Sequence, residues 1–266
     1  MWHYIESGAG RPLVLLHGIG MSGSAWNSVT PYLSAFRRVI VFDIAGFGLT
    51  PPLPHGMPPT SANLAAALER SVRAMGFDGP VDIGGNSLGG LIALEAARRG
   101  LARSVVAISP PGLWCDHPAP HVKYVFQTLR VLATKVPAAL KAIAGRPFLR
   151  ELAFAVPISV GSRHMPAGDA VAAVNDLAAA TAFEDTFAST TQPFSGDEIA
   201  IPVTVAFGAR DWILLKGARR RKALPAHARW IDMPSWGHVP MWIDPVGVAQ
   251  LILDGTATGR REVDGY

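Results

Sequence analysis

Short apolar runs bounded by turn residues recur along the chain and alternate with amphipathic stretches. The runs are Pro12–Leu16, Val39–Phe42, Val81–Ile83, Val105–Ile108, Val203–Phe207 and Trp230–Met233. Apolarity in these runs is mostly continuous rather than alternating, although Asp82, Thr204 and Asp232 each interrupt one run, and continuous apolarity is typical of strands buried on both faces of a parallel sheet. The pattern therefore predicts six buried strands.

Two stretches between these runs have the features of helices that pack on such a sheet. Residues Asn63–Met75 carry an apolar stripe at helical spacing. Residues Leu88–Arg99 are rich in alanine and leucine, end in two arginines and precede Gly100, which together indicate a helix stop. The alternation of strands and helices predicts an α/β fold with a doubly wound, mostly parallel sheet.

The alternation stops between about Pro110 and Ile199, where the chain is alanine-rich, helical in pattern and interrupted by prolines. This segment is too long for one crossover between strands. We therefore predict a core of residues 1–111 and 199–254 and a helical lid of residues 112–198, with ordinary crossover helices as the alternative. Residues 255–266 lose the periodicity and are predicted to form a frayed tail.

Residues Gly85–Gly89 read GNSLG and fit the pattern G-x-S-x-G. They follow the strand run Val81–Ile83 and open a predicted helix, which is the context that a nucleophile elbow requires. A sharp turn there would raise the Ser87 hydroxyl above the sheet. Ser87 is therefore the predicted nucleophile, and a plain strand-to-helix turn is the alternative interpretation.

A serine nucleophile needs a histidine base that an acidic group orients, and in this motif class the chain order is serine, acid, histidine. Asp211 directly follows the run Val203–Phe207, and His238 follows the last strand run. Both positions fall at the carboxyl edge of a parallel sheet, where ligands bind. Asp211 and His238 are therefore predicted to complete a catalytic triad, although a surface aspartate and a packed loop histidine remain the alternatives.

The segment His17–Gly20, with the sequence HGIG, comes directly after the first apolar run. Glycines there let the backbone approach the reaction centre, so the N–H groups of Ile19 and Leu88 are predicted to form an oxyanion hole. His17 itself is predicted to anchor the loop.

These motifs together resemble the α/β-hydrolase superfamily, and within it the single-domain serine esterases with a helical lid. The resemblance is carried by His17-Gly18 with Trp26 downstream, Asp43–Gly48, the elbow at Ser87, Gly208–Asp211 and Gly237-His238. It implies a serine hydrolase, most simply a carboxylesterase that cleaves small esters with apolar acyl groups and uses no cofactor. Trp26, Trp212, Phe126 and Phe154 are the candidate substrate-binding residues, although core packing would explain the tryptophans equally well.

The resemblance leaves the reaction open among carboxylic esters, lactones, amides and carbon–carbon bonds of ring-cleavage products. Asn86 with Gly89-Gly90 resembles the elbow of the carbon–carbon hydrolases, but Val239 stands where those enzymes carry tryptophan. Related dehalogenases and epoxide hydrolases carry aspartate at the position of Ser87. A non-catalytic ligand-binding protein on the same fold is a further alternative.

Composition excludes several other classes. The net charge is +4, but the basic residues are scattered apart from the run Arg219–Lys222, which is predicted to be a solvated helix face. No nucleic-acid partner is therefore expected.

Cys115 is the one cysteine, which excludes an internal disulfide, and no cluster at metal-ligand spacing is visible. We see neither a signal-peptide pattern nor an apolar stretch long enough for a membrane span, so a cytoplasmic protein is expected. The oligomeric state stays open.

Overall fold

The computed structural model describes residues 1–155, 158 and 160–257, and its centre is a seven-stranded sheet. The strands are β1 (Tyr4–Ser7), β2 (Pro12–Leu16), β3 (Arg38–Phe42), β4 (Val81–Asn86), β5 (Ala102–Ile108), β6 (Val203–Gly208) and β7 (Arg229–Met233). Their order is β1-β3-β2-β4-β5-β6-β7, and every pair is parallel except β1 with β3. The six predicted strands and the mostly parallel sheet are confirmed.

Helices cover both faces of this sheet, which confirms the doubly wound arrangement. The helices are α1 (Thr30–Ser34), α2 (Ser61–Ala74), α3 (Leu88–Arg98), α4 (Pro120–Lys135), α5 (Pro137–Ala144), α6 (Pro147–Phe154), α7 (Ala167–Ala179), α8 (Phe183–Ser189) and α9 (Pro245–Gly255). The predicted helices at Asn63–Met75 and Leu88–Arg99 correspond to α2 and α3. The Thr60 hydroxyl caps α2 by accepting the Asn63 N–H at 3.2 Å.

Consecutive strand residues supply two separate apolar layers. In β2, Val14 and Leu16 belong to the cluster that α2 and α3 complete, whereas Leu13 and Leu15 belong to the cluster under α1 and α9. All four side chains are fully buried. Burial on both faces is the physical reason that the strands read as continuous apolar runs.

Between β5 and β6 the chain forms the five helices α4–α8, and the described residues of this segment form no strand. Leu140 of α5 and Val174 of α7 are buried in a small apolar cluster of the segment's own. Arg150 of α6, which is 1% exposed, ties the segment together by donating to the carbonyls of Ser162 and Met165, each at 2.7 Å. The predicted tail begins at the last residue of α9, and residues 258–266 lie outside the described residues.

Candidate active site

Ser87 lies at the turn from β4 to α3 in a strained backbone conformation. Its φ is 52°, a value that residues other than glycine rarely adopt. A Cβ atom on Gly85 would lie 2.3 Å from the Gly89 carbonyl carbon, and one on Gly89 would lie 2.2 Å from the Leu16 carbonyl oxygen. The two glycines are therefore what allows the turn to close, and the turn places Ser87 at the carboxyl edge of the sheet.

The side chains of Ser87, His238 and Asp211 form a continuous hydrogen-bonded row. The Ser87 Oγ lies 3.0 Å from His238 Nε2, and His238 Nδ1 lies 2.9 Å from Asp211 Oδ2. The three residues are 7%, 4% and 3% exposed. With the Nδ1 proton directed at Asp211, Nε2 is free to accept the serine proton.

Main-chain contacts hold the members of this row in place. The N–H groups of Ile213 and Leu214 each donate to Asp211 Oδ1 at 2.9 Å. The Asn86 side-chain amide donates to the His238 carbonyl at 2.9 Å and so joins the elbow to the histidine loop. Burial by itself raises the pKa of Asp211, but the charge and hydrogen bond of His238 and the Leu214 N–H hold this pKa below its ordinary value.

His17 organises the backbone that faces Ser87. Its Nε2 accepts the Ile44 N–H at 3.0 Å, so its Nδ1 carries the proton and donates to the Gly18 carbonyl at 2.8 Å. Since a trans peptide points its C=O and N–H in opposite directions, the Ile19 N–H is directed away from His17. Complete burial lowers the pKa of His17, which keeps the ring neutral in this role.

Two cavities meet at Ser87 and His238. The outer chamber, of about 40 Å³, is also lined by Ile19, Leu88, Trp114, Thr191 and Leu214. The inner chamber, of about 80 Å³, is also lined by Ile19, Met21, Asn86, Leu177 and Trp242. Leu88 is the first residue of α3, and first-turn amides have no acceptor within their own helix. Both amides of the predicted oxyanion hole thus belong to residues that line a cavity with Ser87.

The structure brings one of the four candidate substrate-binding residues to these chambers. Phe126 lines both of them. Phe154 lines a third cavity that lacks Ser87. Trp26 is fully buried in the apolar cluster under α1 and α9, and Trp212 is 56% exposed in a groove behind Asp211. Trp26 is therefore a core residue and Trp212 a surface residue, and neither is among the residues that line the two chambers.

Several lining residues were not predicted from the sequence. Leu177 and Trp242 line the inner chamber, but each stands in an apolar stretch that reads equally well as packing. The basic run Arg219–Lys222 also differs from its prediction. Arg219 and Arg220 lie between two short 3-10 turns, Lys216–Ala218 and Arg221–Ala223, and Arg219 lies over the Phe207 ring at 4.6 Å from its centre.

The described residues contain no group of three or more His, Cys, Asp or Glu side chains that could hold a metal ion. Within residues 1–155 and 160–257, none of the helices is long and apolar enough to cross a membrane.

A doubly wound sheet that presents a hydrogen-bonded Ser–His–Asp set beyond its strand ends is the arrangement of α/β-hydrolases. The chain belongs to the Alpha/beta hydrolase family, because the sequence model of that family matches residues 13–251.

Curated relatives match part of the chain. A 2-hydroxy-6-oxo-6-(2'-aminophenyl)hexa-2,4-dienoic acid hydrolase of Metapseudomonas resinovorans is 35% identical over 117 residues, which cover 41% of this chain and 39% of the relative. A pimeloyl-(acyl-carrier protein) methyl ester esterase of Aeromonas hydrophila is 36% identical over 93 residues, covering 34% of this chain and 33% of the relative. The chain thus spans well under half the length of these relatives.

Solved structures share the fold over nearly the whole chain. A thermophilic esterase from Thermogutta terrifontis has a TM-score of 0.68 at 21% identity and covers 95% of this chain and 91% of its own. A serine hydrolase involved in carbazole degradation has a TM-score of 0.67 at 22% identity, with 96% and 93% covered.

Proposed function

We propose that this protein is a serine carboxylesterase that cleaves esters with apolar acyl groups. Ser87 attacks the ester carbonyl, and His238 takes the serine proton and then gives it to the leaving alcohol. Asp211 orients the ring and stabilises its charged form. The observation that carries the proposal is the hydrogen-bonded row Ser87–His238–Asp211, with distances of 3.0 and 2.9 Å, at the meeting point of two apolar chambers.

The N–H groups of Ile19 and Leu88 bind the oxyanion of the tetrahedral intermediate. The Gly18 carbonyl, held by His17, supports this assignment because it sets the direction of the Ile19 amide. Water then attacks the acyl-enzyme with His238 again as the base, so no metal or organic cofactor takes part in the mechanism.

Residues 112–198 act as a lid over the core of residues 1–111 and 199–254. Phe126 of α4, Leu177 of α7 and Phe187 of α8 support this role, because all three line the chambers together with Ser87. The core thus supplies the chemistry and the lid shapes the space for the substrate. The partner is a neutral ester and no nucleic acid is involved.

Carbon–carbon bond hydrolysis is the second candidate. It is favoured by Asn86 in the elbow and by the relative named as a dienoic acid hydrolase. Such an acid is an anion, yet no lysine or arginine is among the described residues that line the inner and outer chambers. A carboxylate would lack a cationic partner there, and burying it unpaired is costly. The lining therefore supports a neutral ester.

The test is turnover of p-nitrophenyl esters and of a ring-cleavage dienoic acid by the wild type and by Ser87→Ala. We expect ester hydrolysis in the wild type and a loss of roughly 10⁴- to 10⁶-fold in Ser87→Ala, since the row loses its nucleophile. Ser34→Ala, at the end of α1, is the matched control and should retain full activity. Ester turnover that survives in a folded Ser87→Ala variant would refute the assignment, and faster turnover of the dienoic acid would favour the second candidate.

A further inference from the structure

A third cavity continues the inner chamber away from Ser87. This distal chamber, of about 70 Å³, lies among α5, α6 and α7. It shares five lining residues with the inner chamber. They are Leu129, Ile158, Ala173, Leu177 and Trp242. The two cavities are therefore neighbours across a common wall of side chains.

The distal chamber suits an apolar group. Its walls include Leu140, Phe154 and Val174. Its two polar side chains, Arg150 and Ser162, are already engaged. Arg150 donates to main-chain carbonyls, and the Ser162 hydroxyl lies 3.1 Å from a Glu151 carboxylate oxygen. Among the described lining residues the Trp242 indole N–H is the one remaining N–H or O–H group, so the wall is mainly apolar, and an alkyl chain bound there would remove apolar surface from water.

The outer chamber has a different character. Thr190, Thr191 and Pro118 line it, and Pro118 directly follows the exposed residues 115–117. In ester hydrolysis through an acyl-enzyme, the acyl group stays on the serine while the alcohol leaves and water enters. The apolar branch therefore suits the acyl chain, and the branch beside exposed, partly polar residues suits the alcohol and water.

We infer that the inner and distal chambers together form one channel for an unbranched acyl chain, so that esters of medium- and long-chain fatty acids are the preferred substrate class. This inference rests on the proposed esterase function. Three residues of α7 at helical spacing on one face determine the depth of the channel. Leu177 and Ala173 line both chambers, and Ala170 lines the distal chamber alone.

The test compares Ala173→Phe, at the junction, with Ala170→Phe, at the far end. The measured quantity is kcat/KM on p-nitrophenyl acetate, butyrate, octanoate and dodecanoate. In the wild type each buried methylene should raise kcat/KM by about fourfold. Ala173→Phe should lower the ratio of dodecanoate to acetate kcat/KM by at least about 100-fold, with the decline beginning at octanoate. Ala170→Phe should lower dodecanoate turnover and spare octanoate. Ala179→Phe, at the exposed end of the same helix, is the control and should keep the wild-type profile.

Folding is checked by the thermal transition and by fluorophosphonate labelling, and Ala173→Leu replaces Ala173→Phe if the latter fails to fold. Calorimetric binding of methyl dodecanoate, a neutral ester, to Ser87→Ala gives a readout without turnover, and this binding should weaken when Ala173→Phe is added. A dodecanoate-to-acetate ratio unchanged in Ala173→Phe, or a larger loss in Ala170→Phe than in Ala173→Phe, would overturn the channel while the esterase function stands. A wild type that hydrolyses no ester would instead refute the proposed function, and the binding measurement would still decide the channel.

Discussion

The Asp211 carboxylate is buried, since the residue is only 3% exposed. Burial raises the pKa of this carboxyl, but His238 and the Leu214 N–H outweigh burial and lower the pKa below its ordinary value. A carboxyl whose pKa is lower in the folded than in the unfolded state stabilises the fold when ionised. That contribution is complete above about pH 4, the unfolded value, and is lost as the pH falls through the folded value.

Asp211→Asn should therefore change both stability and activity. The difference in unfolding free energy between the wild type and this variant should be largest above about pH 4 and should shrink below it. The kcat should fall by about 10⁴-fold, because asparagine no longer favours the tautomer that leaves Nε2 free. Urea titrations followed by tryptophan fluorescence across the pH range measure the first effect. Asp232→Asn, at a three-quarters exposed side chain on β7, is the control. If the stability difference did not vary with pH, ionised Asp211 would not stabilise the fold as proposed.

His17 acts through the backbone, and its replacement tests that role. In His17→Ala the Gly18 carbonyl loses a partner and the Ile19 amide loses its fixed direction. We expect kcat to fall by up to about 10²-fold with a smaller change in KM, because the oxyanion forms only in the transition state. His227→Ala, on the exposed loop before β7, is the control. A variant that is less stable but has the wild-type kcat would show that His17 serves folding alone.

At the scale of elements, six strands were predictable and the edge strand β1 was not. Strands β2–β6 lie inside the sheet and are largely buried on both faces, so they read as apolar runs, and the partly exposed edge strand β7 still carries Trp230, Ile231 and Met233. Strand β1 has the sequence YIES, lies at the edge of the sheet and pairs antiparallel with β3. Its two middle residues are exposed and its two end residues are half-buried. It has no apolar run, so only pairing with β3 defines it. The turn at Ser87 was predictable because it closes only with glycine at positions 85 and 89, where a Cβ atom would collide with neighbouring backbone, and this requirement is visible in the local sequence.

The amino end of β4, opposite Ser87, contains a buried charge cluster. Asp82 is 0% exposed, accepts the Ser104 hydroxyl at 2.8 Å, and is paired with Arg11, Arg37 and Arg103. Removing the carboxylate leaves three cations without their common partner, which is the costly way to break a buried ion pair.

Asp82→Asn should destabilise the fold by about 3–5 kcal/mol and leave kcat of the folded enzyme unchanged. The activity is spared because Ser87 stands at the other end of the strand. Chemical denaturation gives the stability, and active-site titration corrects the kcat for unfolded protein. Glu6→Gln, at an exposed pair with Arg38, is the control and should cost no more than about 1 kcal/mol. A stability of Asp82→Asn close to that of the wild type would show that the cluster contributes little.

At the scale of the whole molecule, the reacting groups and the substrate space come from different parts of the chain. Ser87, Asp211 and His238 follow core strands, so their approach could be predicted from strand order and motif. The chambers combine α4, α7 and α8 with Leu214 and Trp242. No local pattern indicates which face of a helix between β5 and β6 is directed toward Ser87. Of the four candidate substrate-binding residues, Phe126 lines the chambers, whereas Phe154, Trp26 and Trp212 are not among the residues that line them.

The proposed mechanism requires that Ser87 carries the acyl group during turnover. The most direct measurement is peptide mass spectrometry after the enzyme is mixed with p-nitrophenyl butyrate and quenched with acid within the first turnovers. We expect a butyryl adduct on the peptide that contains Ser87, and no such adduct in Ser87→Ala. An adduct on another residue, or rapid ester turnover with no adduct at Ser87, would contradict it.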